Sequence, residues 1–169
     1  MRGRLAAPYI EATRRAGARQ ADTMINDVYN ARILQLAAEI PRLGRLPAPQ
    51  ASATAHSKLC GSTVTVDLCV ADGRVSDFAH DVKACALGQA SSSIMARHVV
   101  GSTPEELRDL REQVRRMLKE NAPPPAGKWA DVAVLEPVRD YKARHASTLL
   151  AFDAVVKALD EIEARAGAA

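Results

Sequence analysis

The stretch Thr63-Val64-Thr65-Val66-Asp67-Leu68-Cys69-Val70, followed by Asp72-Gly73 and then by Val75 to Val82, decides how this chain folds. Alternating apolar and polar residues have the period of a half-buried strand, and Asp-Gly supplies the positive backbone angles of a tight turn. The two runs predict an antiparallel hairpin, residues 62–70 against 75–83. Setting Phe78, His80 and Val82 on one face with Val64, Val66, Leu68 and Val70 asks for a loop of about three residues around Asp72-Gly73. That face is expected to be buried.

Helical periods flank the hairpin on both sides. Ile25, Val28, Ile33, Leu36, Ala37 and Ile40 recur at three- and four-residue steps, predicting an amphipathic helix over about 22–40 that Pro41 stops. Residues 41–57, with Pro41, Pro47 and Pro49, read as a loop or an edge strand. After the hairpin, Ala86, Leu87, Ala90, Ile94, Met95 and Val99 form a stripe over 86–100 closed by Gly101. Thr103-Pro104-Glu105-Glu106 is a capping box opening a helix over 104–120, Asn121 to Gly127 is a rigid loop, and 146–165 is the last helix. The fold class is α+β, a small antiparallel sheet made of the hairpin plus an edge strand and covered by these helices.

Composition sets outer bounds. With 169 residues, 47% hydrophobic and 25% charged, the chain fits a single globular domain and is not disordered over most of its length. Arg2, Arg4, Arg14, Arg15 and Arg19 against Glu11 give residues 1–21 a superficial likeness to an organelle transit peptide. They are read instead as a basic flexible extension, dispensable for activity, before a domain at 22–165 and a disordered tail at 166–169. An odd count of three cysteines does not suit a secreted disulfide framework, so a reducing, cytoplasmic setting is expected. No apolar run approaches the roughly 18 residues of a membrane span, and a net charge of +3 gives no basic face for nucleic acid. Ser-His-Asp, Walker and dinucleotide patterns are missing, which argues against an ordinary hydrolase, kinase or dehydrogenase.

The hairpin makes a further prediction. Residues equally distant from the turn face each other, and Cys60 and Cys85 are such a pair, as are Ala71 and Arg74. Opposed or diagonal positions bring Cβ atoms within roughly 5–8 Å, so both thiols are expected at the open end of the hairpin, able to share a metal. Cys85 also precedes the first turn of a helix, where unpaired amides favour a thiolate. A disulfide suits the same geometry but not a reducing compartment. Cys69, mid-strand on the opposite face, is incidental. His56, four residues before Cys60, is a candidate substitute ligand, while Asp81 and Lys83 are placed to tune the open end. His80 is expected to pack on the sheet face, and His98 has no partner at metal spacing.

Val28-Tyr29-Asn30-Ala31-Arg32, Cys60-Gly61-Ser62, the hairpin, Cys85-Ala86-Leu87-Gly88-Gln89-Ala90-Ser91-Ser92-Ser93-Ile94-Met95 and the closing helix resemble the IscU/NifU-type iron–sulfur cluster assembly scaffolds over about residues 24–160. Val138-Arg139-Asp140-Tyr141-Lys142-Ala143-Arg144-His145-Ala146-Ser147-Thr148-Leu149-Leu150-Ala151-Phe152 is similar to the SufU branch. The resemblance implies a nascent [2Fe–2S] cluster, iron or zinc on three cysteines plus an aspartate or histidine, with sulfur from a cysteine desulfurase and recipient apo-proteins as partners. By position, Cys60 and Cys85 match two cysteine ligands. Ser147 stands at the third cysteine and Ser62 at the aspartate; the histidine position falls on Ala146, beside His145. A serine hydroxyl is a poor ligand next to a thiolate, so a standard three-thiol site is not expected.

Three readings follow from the resemblance. The first is a scaffold or carrier, not an enzyme, that binds metal or cluster through Cys60 and Cys85, completed by His145, a small thiol or a homodimer offering two thiols per chain. The second is a zinc-assisted sulfurtransferase with one of these cysteines as persulfide acceptor, against which Ser147 speaks. The third is an interaction module of scaffold origin that keeps the fold and the desulfurase-binding surface without metal.

Overall fold

A computed structural model describes residues 28–168. The expected extension and residues 22–27 of the first predicted helix lie outside the described residues. Within them, the first helix, α1, is Ala31–Ala38, shorter than the periodicity suggested. The break falls at Asn30, whose extended backbone and side chain, accepting from the Ile33 amide at 3.0 Å, begin the helix afresh. Asparagine competes for backbone partners in this way, and a cap at that position ends continuity with whatever precedes it. Glu39 is the C-cap, two residues ahead of Pro41.

The expected edge strand is β1, Ala51–His56, and it pairs antiparallel with β2, Thr63–Ala71, which pairs in turn with β3, Arg74–Lys83. The three-residue loop is a correction. Asp72 and Gly73 alone form the turn, both left-handed at φ 54° and 74°, the two-residue type whose twist matches the strands. The register is recovered by a bulge: Val70 pairs with Val75 but Cys69 with Asp77, leaving Ser76 over. Val64, Val66, Leu68, Phe78 and His80 accordingly share the buried face, as their pattern requires. Residues Arg42 to Gly44 lie along the free side of β3, exchanging backbone hydrogen bonds with His80. On the far side of the sheet Lys157 donates to the Thr54 carbonyl at 3.2 Å, and Arg165 donates to that of Gln50.

Four helices complete the described chain, the others being α2, Ala86–His98, α3, Pro104–Lys119, and α4, His145–Gly167. The capping box at Thr103 is present with both of its hydrogen bonds. α4 reaches Gly167, so residues 166 and 167 continue the helix and are not the tail expected there. It packs on β1 and β2 and also on α2 and α3, while α1 packs on α2. Phe78, Phe152, Ile94, Leu87 and Leu68 meet in the core, each large apolar side chain contributing about 1.5–3 kcal/mol on burial. Gly127–Asp140, left unassigned by periodicity, is a run of 3₁₀ turns that buries Trp129, Val132, Leu135 and Val138. These four recur every three residues, the 3₁₀ period rather than the α one.

Ser91, Ser92 and Ser93 are fully buried in α2. Ser91 and Ser92 donate to the Leu87 and Gly88 carbonyls one turn back, and Ser93 to Glu39 at the end of α1, which satisfies their hydroxyls in an apolar setting. No described helix is long and apolar enough to cross a membrane.

Candidate functional site

The site forms where three segments converge: the β1–β2 loop, the β3–α2 junction and the start of α4. The loop, residues 57–62, is closed by the Ser57 amide donating to Ser62 O and the Gly61 amide to Ser57 O, both at 2.9 Å. Gly61 sits at φ 71°, a left-handed angle that costs a side-chain-bearing residue roughly 1–2 kcal/mol. This turn lifts Cys60 into the open. Its Sγ lies 3.3 Å from Ser57 Oγ and 3.0 Å from Ser62 Oγ. Both hydroxyls can donate to a thiolate, and they lower the Cys60 pKa from 9.0 to about 7, with a smaller contribution from the Arg144 charge.

Cys85 is the N-cap of α2 and its side chain makes no capping hydrogen bond, so the sulfur is not spent on its own helix. Its amide donates to Ser62 Oγ at 3.4 Å. Ser62 thus touches Cys60 through one contact and the Cys85 backbone through another, tying the two cysteine segments together. Both cysteines line one shallow, open depression of about 440 Å³ with Gly61, Ser62, Lys83, Ala84 and Arg144. Neither sulfur is in a disulfide.

Arg144 comes from the residue just before α4. Its entry depends on how closely α4 approaches α2. An added Cβ at Gly88 would meet Ala84 Cβ at 2.7 Å and the Ser147 carbonyl oxygen at 3.2 Å. Glycine at 88 is therefore what permits the start of α4 to lie against α2.

The other candidate ligands are not brought to the cysteines. His145, 7% exposed, points its Nε2 at the carbonyls of Val138 and Arg139, at 3.1 and 3.0 Å, and lines a separate cleft with Leu118, Lys119, Asn121 and Lys142. Ser147 is fully buried and donates to Arg144 O at 3.1 Å. His56 is exposed at the end of β1, opposite Thr63, and does not line the depression. Cys69 lies near Ala48 O on the far face. His80 is buried, with Nε2 2.8 Å from Pro41 O; burial pushes its pKa down. His98 is paired with Asp131 at 3.5 Å and stands edge-on to Trp129. Among the described residues no group of three or more His, Cys, Asp and Glu side chains could hold a metal.

Lys83 faces the cysteines as expected, with Asp81 3.9 Å from its ammonium. Sequence reasoning missed Ser57 and Arg144. Ser57 had a signal in its spacing, a hydroxyl three residues before Cys60 at a turn. Arg144 had none, because its arrival depends on helix packing. The depression thus combines two soft sulfur donors, two cationic side chains and the Ser62 hydroxyl, a set whose chemistry suits soft metals and anions.

Residues 28–148 match the family described as the NifU-like N-terminal domain. The chain is 33% identical over 104 residues to the iron–sulfur cluster assembly scaffold protein IscU of Thermotoga maritima, covering 61% of this chain and 72% of that protein. Among solved structures, a NifU-like N-terminal protein from Brucella abortus superposes with a TM-score of 0.83 at 63% identity, over 84% of this chain and 99% of that one. A putative SUF-system scaffold from Fervidobacterium islandicum superposes at 0.73 with 19% identity, over 79% and 98% of the two chains, a likeness of fold.

Proposed function

The chain belongs to the NifU-like N-terminal domain family of iron–sulfur cluster assembly scaffolds, and from that premise we propose that it carries iron, a labile [2Fe–2S] cluster or zinc on Cys60 and Cys85. The observation supporting this reading is the shared depression, lined by two free cysteines, with the Cys60 pKa lowered to about 7 by the hydroxyls beside it. A metal binds thiolate, not thiol, so Cys60 is ready to take it without a strong base. Ser62 holds the two cysteine segments together, and Lys83 and Arg144 favour negative charge between them. The remaining coordination positions are filled from outside the chain. A cysteine desulfurase supplies sulfur and apo-proteins receive the product.

Anaerobic reconstitution with metal analysis and a visible spectrum tests this. Charge-transfer bands and bound metal are expected in the wild type and lost in both Cys60→Ala and Cys85→Ala. Retention of full metal content in either variant sinks the reading.

The exposure and lowered pKa of Cys60 also favour a second role, persulfide acceptor. In that reaction the Cys60 thiolate attacks the outer sulfur of a desulfurase persulfide, a new S–S bond forms, and the desulfurase thiolate leaves. Incubation with a desulfurase and labelled cysteine, read by intact mass, decides it: no sulfur adduct on Cys60 removes this role.

A further inference from the structure

We propose that the cleft at the junction of α3 and the start of α4 binds a compact polyacid, a small molecule with two or more acidic groups and a hydroxyl beside them.

The cleft, about 600 Å³, forms where the end of α3, the end of the 3₁₀ run and the first turn of α4 meet, and neither Cys60 nor Cys85 lines it. Its size suits a metabolite-sized ligand. Its charge is what marks it out. Along α3, Arg108, Arg111, Arg115 and Arg116 each pair with a carboxylate. Lys119, the next cation on that helix, lines the cleft together with Lys142; both are exposed, and among the described residues neither has a carboxylate partner. Cations left unpaired around a concavity raise the local concentration of anions.

The polar groups between the two lysines are under-used. Arg139 reaches Ala122 O at 3.4 Å and Glu136 at 3.2 Å through Nη2, while its buried Nε has no acceptor. Turned toward an acid group in the cleft, the guanidinium would gain the paired acceptors that its fork geometry suits. His145 is 7% exposed. Its Nε2 must donate, because both of its partners, Val138 O and Arg139 O, can only accept. In the neutral ring Nδ1 then carries the lone pair, and among the described residues no donor meets it. Together with Asp140, the single carboxylate lining the cleft, this acceptor calls for a hydrogen donor on the ligand, hence the hydroxyl. The Asn121 amide at the rim and the first turn of α4, which has neither an acidic residue nor a side-chain cap, complete a lining that favours anions.

The test is isothermal titration calorimetry on the metal-free full chain at low salt. Citrate is the polycarboxylate probe, fructose 1,6-bisphosphate the polyphosphate probe, and tricarballylate is citrate without its hydroxyl. One molecule per chain is expected with a Kd of about 0.1–1 mM, and the tighter of the first two probes identifies the acid group. Lys119→Gln combined with Lys142→Gln, both at exposed positions, should weaken binding at least about tenfold. Tricarballylate should bind about fivefold more weakly than citrate, and the ring signals of His145 should move in the NMR spectrum on titration. No binding of either probe up to about 10 mM, or binding that the double lysine variant leaves unchanged, overturns the site. Tricarballylate binding as tightly as citrate overturns the part given to His145 and Asp140.

Discussion

The two walls that flank the cysteines, the 57–62 loop and the start of α4, use the same kinds of residue to opposite ends. On the loop wall the buried Ser57 and Ser62 turn their hydroxyls to the exposed Cys60, and the sulfur stays free. On the α4 wall, behind the depression, His145, Ser147 and Thr148 are buried and satisfy backbone carbonyls. What separates them is where the hydrogen bonds go. In the loop the side chains bond one another, whereas at α4 the acceptors are the carbonyls of Val138 and Arg139, left spare at the end of the 3₁₀ run, and that of Arg144 one turn back from Ser147 and Thr148. A polar residue near a site is a ligand candidate only if its backbone has not already claimed it.

That contrast is most easily broken by moving the nucleophile from one wall to the other. In a variant with Cys60→Ala, Cys69→Ala and Ser147→Cys, thiol labelling of the native protein at position 147 is expected to be at least about 100-fold slower than at Cys60 in wild type, since it requires local opening. Comparable rates would mean that the α4 wall is open.

Gly88→Ala tests what holds the walls at their distance. The added methyl has no room between Ala84 and the Ser147 carbonyl, and a loss of about 1–3 kcal/mol in urea unfolding is expected. An unchanged midpoint would show that the approach of α4 is loose.

Ser62→Ala sharpens the loop side. Hydroxyl donors favour the thiolate, so their removal moves the midpoint of Cys60 alkylation upward from about 7 toward 9.0, slowing labelling at neutral pH by up to about tenfold. The sign carries over to stability. A depressed pKa lends stability that is fully present above the unfolded value of 9.0 and is lost as pH falls through about 7. A midpoint that stays put in Ser62→Ala would assign the shift to Ser57.

The smallest effect belongs to Arg144→Gln, the weakest contributor to the Cys60 shift. Labelling is expected to slow by about twofold at low salt and to be indistinguishable from wild type near 1 M salt, where such charges are screened. A salt-independent effect would point to packing.

Legibility in the sequence follows the same divide between local and distant causes. Alternation, the Asp72-Gly73 turn and the Thr103 capping box are written in neighbouring residues, and with them came the hairpin, the sheet face and the meeting of Cys60 with Cys85. The Ser76 bulge was hidden because two turn lengths bury the same face if one residue is left over. Asp67 looked like a solvent-side residue yet is fully buried, gripped by Arg45 at 2.8 and 2.9 Å and by Ser52 and the Leu46 amide. The arginine lies 22 positions away, beyond any local pattern. Arg144, and not the expected His145, lines the cysteine depression for a similar reason: which of two adjacent side chains turns that way depends on the phase at which α4 begins.

The residues that flank the sheet have one more effect. With Arg42 to Gly44 laid along His80 of β3, and Lys157 and Arg165 drawn over carbonyls at β1 and just before it, each margin of the sheet has backbone groups already taken. A strand from another molecule seeking to lengthen the sheet has these contacts to displace first, so the fold carries its own guard against sticking edge to edge.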